Sequence, residues 1–157
     1  MGVKIVYGAP CSGKSTYVRE KIKESDIVFD YDAITRALTN SKQHLSKREV
    51  SHRYVLDIKL TLIKRYRMGS KVNDLWIIST FLTDSFKKYV HDLKPEYIKM
   101  DVSMEECLSR LEQDEMRPDK EEWKQKIIEW FETNGQKQGN PINKEGKEAR
   151  NPYRELK

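Results

Sequence analysis

Cysteine is nearly absent: Cys11 and Cys107 are the two in the chain. They show neither metal-ligand spacing nor the pairing pattern of a secreted disulfide scaffold, which excludes a structural metal of that kind and implies a reducing compartment. No apolar run approaches the roughly 18 residues that a membrane span needs. The opening Met-Gly-Val-Lys-Ile-Val leads into a strand rather than a signal peptide, so a cytoplasmic protein with no membrane partner is expected. Histidine is scarce too. His44, His52 and His91 are scattered among charged neighbours without a partner that would make a catalytic pair, and all three read as surface residues.

What is plentiful is charge, at 35%, beside 37% apolar residues, the balance of a soluble globular protein and not of a membrane or collagen-like chain. A length of 157 residues fits one core and one site. The formal net charge of +5 is modest, but it is unevenly spread. Lys47, Arg48, Arg53, Lys59, Lys64, Arg65 and Arg67 crowd one stretch, while residues 105–122 are mainly acidic. A solvated surface accounts for this, and a polyanionic partner is allowed.

Short β-branched runs alternate with amphipathic stretches. Lys4–Tyr7, Ile27–Phe29, Leu75–Ile78 and Tyr97–Met100 are expected to be strands. Helices are expected from Lys14 to about Ser25, from Asp32 to Thr39 with Asp32 as its cap, and from Lys47 to Arg67 with Gly69 as its stop. Further helices run through Phe86, Val90 and Leu93, from the capping box Ser103-Met-Glu-Glu106 to Gln113, and from Pro118 through Trp123, Ile127 and Trp130. That aromatic stripe reads as core packing in preference to a base-stacking platform. Strands that are apolar throughout imply a parallel sheet of four to five strands with helices on both faces, an α/β three-layer sandwich. Residues 1–133 are expected to form the domain, and residues 134–157 to be a polar, flexible tail. Ligands of such sheets bind at the carboxyl ends of the strands, where Gly8, Asp30, Ser79 and Asp101 should gather.

One motif there is specific. Gly8-Ala9-Pro10-Cys11-Ser12-Gly13-Lys14-Ser15 satisfies G-x-x-x-x-G-K-[ST] in full and lies between an expected strand and an expected helix. In a P-loop of this kind the glycines let the backbone bend toward phosphate oxygens, the amides through Thr16 and the helix N-terminus supply positive potential, Lys14 spans the terminal phosphates and Ser15 ligates Mg²⁺. ATP and Mg²⁺ are the expected cofactors. The alternative is an accidental Gly-Lys-Ser turn. Beyond strand two, Asp30 and Asp32 would point to one side of an extended segment. One could take a proton from an attacking hydroxyl while the other orders Mg²⁺ through water or holds the acceptor. Asp32 could equally be a helix cap only. Arg36, a turn further on, could anchor an acceptor phosphate or sit on the surface.

The P-loop, the aspartates after strand two and a late helix with spaced arginines together resemble the P-loop kinase group that includes polynucleotide 5′-hydroxyl kinases, in particular its small phage-encoded members. The resemblance spans residues 1–130, with the P-loop as its one motif-grade match. It implies a kinase-like fold with a small helical lid, Asp32 as general base and Arg36 as the acceptor-phosphate anchor. The usual Asp-x-x-Arg spacing is one residue longer here, Asp32-Ala-Ile-Thr-Arg36. It also implies lid arginines, matched by Arg110 and Arg117, whose planar donors would meet charge on a transferring phosphoryl group. Ordinary pairing with Glu106, Glu112 or Asp114 is the alternative. Strand three ends in Ser79-Thr80, where many P-loop enzymes carry a metal-organising aspartate.

The expectation is an ATP-dependent kinase that transfers the γ-phosphoryl group to a hydroxyl or phosphate on a nucleic-acid end or base, or on a nucleotide. The competing expectation is a nucleotide-binding module or nucleic-acid-stimulated ATPase without transfer.

Overall fold

A computed structural model describes residues 2–134. The expected tail, apart from Asn134, lies outside the described residues. The chain is α/β, with four parallel strands and six helices among the described residues. The strands are β1 (Gly2–Tyr7), β2 (Ile27–Asp30), β3 (Asp74–Ser79) and β4 (Glu96–Lys99), in the spatial order β2-β3-β1-β4. The helices are α1 (Lys14–Lys21), α2 (Tyr31–Thr39), α3 (Glu49–Arg67), α4 (Asp84–Val90), α5 (Met104–Gln113) and α6 (Lys120–Asn134), and a 3-10 turn at residues 91–93 extends α4.

Side-chain alternation along the strands sorts the core into two layers. Val3, Ile5, Phe29, Leu75 and Ile77 share one cluster with Val55 and Ile63 of α3 and Phe86 and Val90 of α4. Val6, Trp76 and Ile78 point to the other face and meet Val18 of α1. Register explains the sorting: Ile5 stands opposite Ile77 and Val6 opposite Ile78, so each apolar set stays on one face. Helices thus cover both faces. A third cluster, Cys107 and Leu111 of α5 with Trp123, Ile127 and Trp130 of α6, packs on Ala9 of the β1–α1 loop. The stripe read as core is core, and it seats the last two helices over that loop.

Among the boundaries that differ from expectation, the end of α1 and the start of α2 do so for reasons of hydrogen bonding. Helix α1 stops at Lys21 because the chain turns extended at Ile22 (φ −63°, ψ 141°). Asp26 organises the turn into β2, its carboxylate accepting from the N–H of Lys23 (3.0 Å), the N–H of Asp74 (3.1 Å) and Trp76 Nε1 (3.1 Å). The cap of α2 is Asp30, not Asp32: Asp30 Oδ1 accepts from the N–H groups of Asp32 (3.1 Å) and Ala33 (3.4 Å). Asp32 is thereby moved into the first turn, and its carboxylate has no capping duty. Among the described residues no helix is long and apolar enough to cross a membrane.

Candidate functional site

The loop after β1 is shaped by steric need. A Cβ built on Gly8 would stand 2.8 Å from Ser12 Oγ and 2.9 Å from Met100 Cβ, both closer than real contacts allow. Gly13 has φ +88°, the left-handed region that glycine enters without cost. Cys11 also has positive φ, 63°, an uncommon place for a side-chain-bearing residue. Lys14 curls back over the loop, its Nζ donating to the carbonyls of Gly8 (2.8 Å) and Ala9 (2.7 Å).

Helix α1 begins from this loop without a side-chain cap. Its first backbone bond runs from Tyr17 N–H to the Gly13 carbonyl (2.9 Å), so the N–H groups of Lys14, Ser15 and Thr16 have no partner inside the helix. Asp30, Thr83 and Ser103 cap α2, α4 and α5, while α3, like α1, starts without a side-chain cap. An uncapped N-terminus at a glycine-bent loop is a concentration of positive potential with open donors, suited to an anion.

At the next strand end, Ser15 Oγ donates to Asp30 Oδ2 (2.7 Å), joining the loop to the α2 cap. Asp32 is gripped by two guanidinium groups, Arg48 Nη1 at 2.8 Å and Arg117 Nη2 at 3.7 Å. Arg117 also pairs closely with Asp114 and lies over the Trp123 ring, 4.7 Å from its centroid. Arg110 is fixed by Glu106 (3.1 Å) and reaches the loop, its Nη1 donating to the Cys11 carbonyl (3.4 Å). Both arginines therefore make ordinary carboxylate pairs and also face the loop or Asp32. The connection between α5 and α6 that carries Arg117 is strapped down from the α2–α3 connection: His44 N–H donates to the Met116 carbonyl (2.8 Å) and Ser46 Oγ to Asp119 Oδ2 (2.7 Å).

These groups border one cavity of about 1410 Å³. Residues Pro10 to Thr16, Asp30, Asp32, Arg110 and Arg117 line it, while Gly8 and Ala9 shape the loop from beneath. Ser79 and Thr80 line it as well, and Asp101 does not. Arg36 is absent from its walls: its Nε is buried with no hydrogen-bond partner among the described residues. Arg48, not Arg36, is the arginine of this region that borders the cavity, beside Asp32. It precedes α3 with non-helical φ and ψ (−134°, 18°) and stacks 4.6 Å from the Tyr31 ring. Placed in a lysine- and arginine-rich run, it carried no sequence signal separating it from a solvated face.

The three histidines do not share one environment. His52 and His91 are exposed as expected, but His44 is half-buried, and both His44 and His52 line the cavity. His52 Nδ1 is 2.7 Å from the Tyr31 hydroxyl. Burial lowers the pKa of both, and the arginines beside them, Arg117 and Arg48, act in the same direction. Lys59 was also missed. It is 7% exposed, lines the cavity and holds its ammonium 3.8 Å from the Phe86 ring centroid.

Burial lowers Lys14 to about 8, with Arg117 acting in the same direction and Asp32 and Asp30 opposing it. Burial alone lowers Lys59 to about 8. In the unfolded chain both return to roughly 10.4. Between these values the unfolded state holds the extra proton, so a buried lysine makes stability rise with pH from about 8 upward and leaves it flat below. Raised thiols and phenols, Cys11 and Tyr31 among them, work in the opposite direction at alkaline pH. The difference between the protein and Lys59→Met isolates one lysine. That difference is expected to grow by up to about 1.4 kcal/mol per pH unit between pH 8 and 10, measured by urea unfolding. A difference independent of pH would refute the burial of the ammonium.

No protein-family model matches the chain, and no curated protein matches it either.

The fit of the site to a polyphosphate and its Mg²⁺ can be judged from its own atoms. Ser12 Oγ and Arg117 Nε are buried donors with no partner among the described residues, and both belong to residues lining the cavity. The Ser15 hydroxyl and Asp30 carboxylate supply the hard oxygen ligands that Mg²⁺ takes. Among the described residues no cluster of three or more His, Cys, Asp or Glu side chains could cage a metal. That donor set suits an ion carried in by phosphate oxygens and water, which is how Mg²⁺ is commonly held.

Proposed function

We propose that this chain is a P-loop phosphotransferase of kinase-like three-layer architecture. It moves the γ-phosphoryl group of ATP to a hydroxyl or phosphate acceptor on a nucleic-acid end or base, or on a nucleotide. The observation that carries the reading is the juxtaposition of an uncapped, glycine-shaped loop bearing Lys14 with a carboxylate, Asp32, that has no capping role and faces the same cavity.

The open amides of Lys14, Ser15 and Thr16 would receive the β- and γ-phosphates, and Lys14 would exchange the Gly8 and Ala9 carbonyls for phosphate oxygens. Ser15, with Asp30 behind it, would hold Mg²⁺, which when bound would supply charge neutralisation to the triphosphate. For a hydroxyl acceptor, the oxygen attacks the γ-phosphorus, the bond to the β-γ bridging oxygen breaks, ADP leaves and the hydroxyl proton passes to Asp32. Arg110 and Arg117 would meet the charge on the transferring group, the latter by releasing part of its hold on Asp32 and Asp114. The free thiols of Cys11 and Cys107 suit a reducing compartment, which supports a place in the cytoplasm.

A second reading, an ATP-binding module or nucleic-acid-stimulated ATPase, draws on one observation: β3 ends in Ser79, whose hydroxyl donates to the Phe81 carbonyl (2.6 Å), with no carboxylate there to order metal or water. Incubation with γ-labelled ATP, Mg²⁺, a 5′-hydroxyl oligonucleotide and a nucleoside panel separates the two. Label is expected in an acceptor. Label released only as inorganic phosphate, faster with DNA, would establish the ATPase and overturn the kinase.

A further inference from the structure

Arg48 stands where a helix usually carries a cap. It is the residue before α3, and its side chain makes no hydrogen bond to the helix it precedes. Serine, aspartate or asparagine there would satisfy an open N–H of the first turn, whereas arginine has no acceptor to offer. The side chain is directed instead to a residue 16 positions earlier, its Nη1 donating to Asp32 Oδ1 at 2.8 Å. A local rule given up in this way is characteristic of positions that serve a site. Rings from two other helices flank the guanidinium, whose Cζ is 4.6 Å from the Tyr31 centroid and 5.7 Å from that of Trp123. Both rings are themselves fixed. Trp123 is 2% exposed inside the α5–α6 cluster, and the Tyr31 hydroxyl is 2.7 Å from His52 Nδ1.

The two oxygens of Asp32 are thereby made unequal. Oδ1 is committed to Arg48 by a charge-assisted hydrogen bond, whereas Oδ2 has Arg117 Nη2 at 3.7 Å, an ion-pair distance too long for a hydrogen bond. We propose that Arg48 is the positioning residue for the general base: it fixes the Asp32 carboxylate through Oδ1 and leaves Oδ2 as the oxygen that takes the acceptor's proton. This role rests on the phosphotransferase reading and adds to it the residue that orients the base and the oxygen that acts. As the acceptor oxygen bonds to phosphorus, its O–H bond breaks and a new one forms at Oδ2. A carboxylate on a short side chain turns about two single bonds, and a planar donor held by two rings removes that freedom. The pair is largely withdrawn from water, at 25% and 24% exposed, so solvent competes weakly for the bond. A direct duty on the triphosphate suits Arg48 less well, because the cations bonded to the loop carbonyls are Lys14 and Arg110.

The test is a double-mutant cycle. Single-turnover transfer from γ-labelled ATP to the hydroxyl acceptors is measured for the protein, Arg48→Ala, Asp32→Asn and the two combined, over a range of acceptor concentrations and beside equilibrium ATP binding. Arg48→Ala is expected to lower the maximal rate by about 10- to 10²-fold, the scale of a reacting group displaced by roughly 1 Å. ATP affinity and the half-saturating acceptor concentration should change by no more than about 3-fold, as for an interaction made only in the transition state. The combined variant should be no slower than Asp32→Asn, since an arginine that acts only through the carboxylate then has nothing to position. Arg48→Lys should stay close to Arg48→Ala, because an ammonium restores charge without the planar, stacked donor. Losses that multiply in the combined variant, a loss confined to ATP affinity or acceptor saturation, or full activity in Arg48→Ala or Arg48→Lys would each overturn the positioning role while leaving the kinase standing. Should Arg48→Ala not fold, Arg48→Lys carries the same cycle with Asp32→Asn. Absence of label in every hydroxyl acceptor of the unaltered protein overturns the base and its positioning residue together.

Discussion

Asp32→Asn is expected to lower phosphoryl transfer by about 10²- to 10⁴-fold, the usual worth of a positioned general base, while ATP affinity changes by no more than a few-fold. The side chain keeps its size and can still accept from Arg48 Nη1, which lies 2.8 Å from Asp32 Oδ1, so the variant should fold with its cavity intact. What it loses is a carboxylate able to take the hydroxyl proton, and the charge that holds Arg48 and Arg117 together. Equilibrium ATP binding beside single-turnover transfer checks this. Normal transfer would reduce Asp32 to a tether for the two arginines. Asp30→Asn is a useful contrast, because asparagine caps helices nearly as well as aspartate. The α2 cap should survive, whereas the charge facing Ser15 disappears, and the effect should emerge as a higher Mg²⁺ requirement.

The surroundings of Asp32 also mark the limit of what the chain makes legible beforehand. Strand and helix alternation was legible because apolar runs such as Trp76-Ile77-Ile78 have little use outside a sheet covered on both faces. The loop was legible because its signal is contiguous in the chain: Gly8, Gly13 with its left-handed φ, and Lys14 next to it. Arg48, His52 and Lys59 were not, because they reach the cavity through the path of the α2–α3 connection and the rotation of α3, neither of which leaves a local pattern. In sequence Lys59 looks like one more charge on a basic helix, and only the packing of α3 on Phe29 and Phe86 turns it inward. The Asp30 cap illustrates the same limit at shorter range. Either aspartate could cap α2, and what distinguishes them is Ser15, fifteen residues earlier, bonded to Asp30 and not to Asp32.

Gly8→Ala is expected to be as damaging to nucleotide binding as Asp32→Asn is to transfer, by a different route. The added methyl would lie 2.8 Å from Ser12 Oγ and 2.9 Å from Met100 Cβ. Ser12 is 1% exposed, so its hydroxyl has little room to turn away from an added methyl. The Met100 contact is to a Cβ, which moves with the backbone, and that backbone is tied to β1 by the Met100 N–H bond to the Tyr7 carbonyl (2.8 Å). Relief therefore requires the loop to lift from the end of β4, which displaces the Gly8 carbonyl that holds Lys14 Nζ. Overpacking of this kind costs about 1–3 kcal/mol, and a shift of roughly 1 Å in a positioned site can cost about 10²-fold in function. The expected result is an ATP affinity lowered by about 100-fold, with unfolding stability reduced by no more than about 3 kcal/mol. Gly2→Ala is the control, since nothing stands within 4 Å of its Cβ, and stability should stay within about 0.5 kcal/mol of the unaltered protein. Unchanged ATP affinity in Gly8→Ala would mean that the loop does not receive the triphosphate. Intact folding with lost binding would assign Gly8 to the ligand and not to the core.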